Sequence, residues 1–192
     1  MRVQLVPHPS SLHAADTAVA VGLLAGPESV ELTYEISSAE PLVLPPVARR
    51  TGAAGQRRDG LWRHSCCELF VRDAWVAGPD VAGPDVAGPY LEFNFSASGD
   101  WAAYAFDAPR QGMRPHDWGG APMIVAERDG RLVRVSLPRV SLPRIAVGSR
   151  LTLSPTVILE TATGFGYWAL RHPPGQPDFH AVDHFAAGVD IT

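Results

Sequence analysis

Residues 29 to 36, Ser-Val-Glu-Leu-Thr-Tyr-Glu-Ile, alternate polar and apolar side chains without a fault. A period of two fits a half-buried strand, because successive strand side chains point to opposite faces. The period recurs along the chain. Over residues 66 to 73, Cys67, Leu69 and Val71 share one face; Cys66, Glu68, Phe70 and Arg72 share the other. Over residues 90 to 96, Leu91, Phe93 and Phe95 face one way; Tyr90, Glu92, Asn94 and Ser96 face the other. A Ser98-Gly99-Asp100 turn leads into a further strand over 101 to 107. Asp129-Gly130 joins strands over 123 to 128 and 131 to 137, since Asp-Gly between β-rich runs is a strong hairpin signal. Residues 151 to 160 and 165 to 170 form a last pair, joined near Gly164. Residues 46 to 60, with Arg49, Arg50, Arg57 and Arg58, read as a polar loop with room for a short helical turn. No window sustains an amphipathic helix. The pattern predicts about eight to ten strands in one antiparallel sandwich or barrel.

Composition agrees. Glycine and proline number 18 each among 192 residues, well above the roughly 12% of average proteins. Both are poor in helix interiors. At 46% hydrophobic residues the chain is too apolar for disorder, and its length suits one domain over residues 1 to 192. A net charge of −4 excludes a general nucleic-acid grip and an anionic membrane surface as partners. All 16 basic residues are arginine, which excludes lysine Schiff-base and P-loop chemistry. Pro7, His8, Pro9, His13 and Asp16 interrupt any apolar signal region near Met1. Cys66 and Cys67 are adjacent, so in a strand they point apart and form no ordinary disulfide. These features predict a cytoplasmic protein.

Two exact tandem repeats interrupt the strand pattern: VAGPD-VAGPD-VAGPY over 76 to 90 and VSLPR-VSLPR over 135 to 144. Five-residue units are too short for a solenoid. Both read as loop insertions, and the second copy of VSLPR is expected to bulge away from its strand.

Candidate chemistry gathers in two places. If the Glu68 and Glu92 strands are neighbours, Glu68, Glu92, Asn94 and Ser96 share a sheet face. Carboxylates and an amide beside Trp62, Trp101 and Tyr104 suit a hydroxyl-rich ligand. The same pattern also describes the solvated face of an antiparallel sheet. Paired carboxylates are also the machinery of glycoside hydrolysis. The second place is the run from Tyr167 to His184, with Trp168, His172, Asp178, His180 and Asp183. Its histidines match no zinc signature, although His172, His180 and His184 could share a metal. They suit ligand binding or loop ordering better. Met113, His172 and His180 are conceivable axial ligands for a non-covalent haem. No Gly-x-Ser-x-Gly elbow and no dinucleotide fingerprint is present.

The segments 59 to 71 (DGLWRHSCCELFV) and 90 to 106 (YLEFNFSASGDWAAYAF) resemble bacterial DOMON-like domains, which are similar to family 9 carbohydrate-binding modules. Tyr167-Trp168-Ala-Leu-Arg171-His172-Pro and Pro177-Asp178-Phe179-His180 look like that family's closing motif, and Gln111-Gly112-Met113 fits its pattern. Many relatives carry an aromatic where Cys67 stands. The resemblance implies an all-β, antiparallel β-sandwich of jelly-roll type whose relatives bind sugars or haem; it does not imply catalysis. The leading expectation is a binding module for a small, sugar-like ligand on a concave sheet face. Trp62 with Trp101 or Trp168 would stack on it; Glu68, Glu92, Asn94 and Arg110 would hydrogen-bond it. Haem binding, a small hydrolase and a purely structural domain remain alternatives, and the oligomeric state is left open.

Overall fold

A computed structural model describes residues 1–11, 14–47, 55–73, 88–143, 150–181 and 189–191. The chain is all-β, with only short 3-10 turns besides strands among these residues. Twelve strands follow in order: β1 Arg2–Pro7, β2 Thr17–Ala25, β3 Ser29–Ser38, β4 Cys66–Asp73, β5 Tyr90–Phe95 and β6 Trp101–Phe106; then β7 Arg114–Pro115, β8 Met123–Glu127, β9 Leu132–Pro138, β10 Leu151–Thr161, β11 Gly164–Ala169 and β12 Val189–Ile191. The alternating runs of the sequence all became strands. β1 and β2 were not anticipated: the apolar residues of β2 run together without a period, and the alternation Arg2-Val3-Gln4-Leu5 in β1 lasts only four residues.

The strands hydrogen-bond in one curled path, β7-β6-β5-β4-β10-β11-β1-β2-β3-β9-β8, with β12 beside β10. Every strand pair among the described residues is antiparallel. The path bends at β1, whose residues Arg2 to Leu5 pair with β2 while Val6 and Pro7 pair with β11. The strand thereby divides the sheet into two arms.

One apolar core draws on both arms. Val19, Val21, Leu32, Tyr34, Val133 and Val135 come from one; Cys67, Leu69, Phe93, Phe95, Leu153, Val157 and Trp168 come from the other. Tyr34 is fully buried, and its hydroxyl donates to the Glu68 carbonyl at 2.7 Å, tying the arms across the core. Cys67 and Cys66 take opposite faces, as their adjacency requires: Cys67 packs in this core, while the Cys66 thiol points to Asn94. Both thiols are free and buried, and burial pushes both well above the ordinary range.

Val135 to Pro138 of the first VSLPR copy end β9, and a 3-10 turn, Arg139–Ser141, carries the second copy out of the strand. Val140 is exposed there, while Ser141 and Leu142 are buried, so the copy folds back instead of bulging into solvent. The VAGPD repeat falls outside the described residues up to position 87, and Tyr90 begins β5.

Candidate functional site

The Glu68 face is built by strand register. On β4 and β5, Glu68 stands opposite Asn94 and Phe70 opposite Glu92. The next strands extend both rows: Thr156 of β10 lies beside Glu68, and Tyr104 of β6 lies beside Glu92. Glu68 and Glu92 are therefore diagonal neighbours on one face, at a separation of roughly 7–8 Å between backbones. The solvated-face alternative is overturned, because Glu68 is 2% exposed, Glu92 4%, Asn94 0% and Ser96 2%. The segment after β11 folds over this face: Phe179 and the His180 ring pack against Phe70. That covering accounts for the burial.

Between sheet and segment lies a pocket of about 350 Å³. Glu68 and Glu92 line it together with Trp62, Phe70, Phe106, Ile158, Tyr167 and Phe179. Arg110, Met113, Pro177 and His180 complete the lining. The walls are mostly aromatic, and the charged groups are few.

Each carboxylate has one hydrogen-bond donor among the described residues. Thr156 Oγ1 donates to Glu68 Oε2 at 2.9 Å, and Asn94 Nδ2 donates to Glu92 Oε1 at 2.7 Å. The second oxygen of Glu92 has His180 Nε2 only at 3.8 Å, beyond a hydrogen bond. Neither carboxylate is paired with an arginine among the described residues. Burial pushes the Glu68 carboxyl well above its ordinary range, and the nearby Glu92 carboxylate pushes it further, against the Thr156 hydrogen bond. Burial likewise raises Glu92 to about 7, against the pull of Asn94 and Arg110. His180 moves the other way: burial and then Arg110 lower it to about 4, so its ring is neutral at pH 7. Its Nδ1 lies 2.6 Å from the Tyr90 hydroxyl, which also accepts the Arg110 amide. Arg110 sits at the rim with its guanidinium on Asp178 at 2.9 Å.

The structure gathers Trp62, Glu68, Glu92, Arg110 and His180 around one pocket. Asn94 lies beneath it and holds Glu92. Trp101 and Trp168 do not join them, which corrects the expected stacking platform. Trp101 stands opposite Phe95 and Trp168 opposite Val157, both on the core face. The five residues between Phe95 and Trp101 set that parity. His172 also lies away from the pocket, with Nε2 donating to the Val6 carbonyl at 2.9 Å and its ring against Phe179. Of the three conceivable haem ligands, Met113 and His180 line the pocket. Among the described residues no three His, Cys, Asp or Glu side chains form a metal-binding group; Asp183 and His184 lie outside those residues.

Sequence reasoning missed Phe106, Ile158, Tyr167 and Phe179 as walls and Thr156 as a donor. Parity signalled some of them: Tyr167 must oppose Trp168, and Thr156 must oppose Val157. A more open groove of about 700 Å³ runs past His64, Ser65, Asp100 and Glu160. Two of its acids have partners, Glu160 with His64 at 3.0 Å and Asp100 with Arg58 at 3.2 Å. The smaller pocket, with its unmatched carboxylates, is the stronger candidate. No helix among the described residues is long and apolar enough to cross a membrane. No protein-family model and no curated protein matches the chain.

Proposed function

We propose that this chain is a non-catalytic binding module whose pocket over the Glu68/Glu92 face takes a small, hydroxyl-rich ligand. The observation that carries the reading is a pair of buried, unmatched carboxylates at an opening walled by aromatic rings. Carboxyl groups bind hydroxyls in bidentate fashion, while ring faces pack the C–H faces of a sugar. Trp62 is the half-buried edge of that wall and stands edge-on to Tyr104 at 5.5 Å. The resemblance of both long motifs to DOMON-like domains supports the same reading. It also supports taking the two arms as the layers of a jelly-roll-like sandwich.

A panel of mono- and disaccharides tested by thermal shift checks the function. A ligand at a hundred times its Kd stabilises the fold by about 2.7 kcal/mol. At least one sugar is expected to raise Tm in the parent and to lose that effect in Trp62→Ala. A flat response across the panel overturns the reading. Haem keeps one supporting observation, the presence of both His180 and Met113 at the pocket. A Soret shift on adding haemin, lost in His180→Ala, would favour it instead.

A further inference from the structure

We propose that the ligand of this pocket carries an organic ammonium group, seated between the Glu68 and Glu92 carboxylates and the aromatic rings that wall them. The inference rests on the pocket being a ligand site and narrows the class of molecule it takes.

Three observations lead there. Both side chains at the floor are acids, each more than nine-tenths buried. Each has one donor, a neutral hydroxyl or amide, and Glu92 Oε2 has no hydrogen bond among the described residues. The rings of Trp62, Phe70, Phe106 and Phe179 stand around them. A neutral hydroxyl leaves both carboxyls holding the protons that burial and their mutual repulsion keep on them. A cation supplies the missing counter-charge, so that a carboxyl can ionise beside it, and it gains attraction from the negative faces of aromatic rings as well. Aromatic boxes with an acidic floor suit ammonium ions for this reason.

Of the other charged and titratable groups nearby, Arg110 alone opposes a cation, since its charge already lowers Glu92 and His180. Arg110 lines the rim, but its guanidinium is bonded to Asp178 and largely exposed. His180 is held neutral, and Tyr90 and Tyr104 are held as phenols by burial. Arg72 shares the face but lies beyond Phe70 and does not line the pocket. An arriving ammonium keeps its own proton, and a protonated carboxyl releases one to solvent.

Titration calorimetry of the full chain at pH 6.5 tests the proposal with two matched pairs. D-Glucosamine and D-glucose share a ring and differ in charge. Choline and 3,3-dimethylbutan-1-ol share a shape and differ in charge. The charged member of each pair is expected to bind at least tenfold tighter, with net proton release when buffers of different ionisation enthalpy are compared. In Glu92→Gln the charge preference is expected to fall at least tenfold, with Glu68→Gln as the second variant should the first not fold. Binding of glucose as tight as that of glucosamine overturns the cation inference and leaves the sugar reading standing. Binding of choline without either sugar upholds the cation and overturns the hydroxyl-rich ligand. Binding of none of the four overturns both.

Discussion

Glu92 occupies a strand in which every residue is buried, and its titration ties pocket chemistry to stability. Unfolded, a glutamate titrates near 4.3; folded, this one holds its proton up to about 7. Between those pH values the folded chain binds more protons at this site than the unfolded chain, so the site lowers stability as pH rises through the window. The shift corresponds to about 4 kcal/mol, fully developed above pH 7. Glu68 is raised for the same reason and slopes the same way. His180 slopes the opposite way, because its lowered value makes the folded chain bind fewer protons from about pH 4 to 6.5. The parent profile mixes these signs, and a comparison with Glu92→Gln isolates one of them. Glutamine still accepts from Asn94. Urea unfolding is expected to show the variant gaining up to about 3 kcal/mol on the parent between pH 4.5 and 8. A constant difference across that range would refute the buried, protonated state.

At the scale of elements, register decides which side chains meet. In β11, Gly166 and Trp168 are two residues apart and share a face, and the indole lies across the glycine. A Cβ at Gly166 would come within 2.4 Å of the Trp168 ring, and the ring is 2% exposed, with no room to withdraw. Gly166→Ala is therefore expected to destabilise by about 1–3 kcal/mol, the usual cost of overpacking, as read by the urea midpoint. An unchanged midpoint would mean that the indole can move. The same rule of parity explains what the sequence disclosed. The Glu68 and Glu92 faces were legible because an unbroken period of two fixes them. Trp101 and Trp168 were misplaced because their faces depend on loop length and partner register, which composition does not carry. Phe179 and His180 were legible as residues but not as a roof: a proline-rich segment has no period to show where it folds back.

Among the described residues the molecule is one open sheet whose path ends at β7 and β8. β7 is two residues long, a blunt edge. β8 has five residues and exposes Met123 and Val125, with Glu127 paired to Arg134 of β9. Long apolar edges invite pairing with other chains, and a charge suppresses it. Val125→Lys is expected to reduce light scattering on heating while moving the unfolding free energy by less than about 0.5 kcal/mol. Equal scattering would show that aggregation starts elsewhere. The division of β1 between two arms has a consequence for synthesis. Ser11, just past that strand, exchanges hydrogen bonds with Tyr167, 156 residues later. At ordinary translation speeds that separation is roughly ten to thirty seconds. During that interval Leu5 can settle against Val19 of β2, while Val6 and Pro7 wait for a partner the ribosome has not yet made. The hinge between the arms is thus laid down first and closed last.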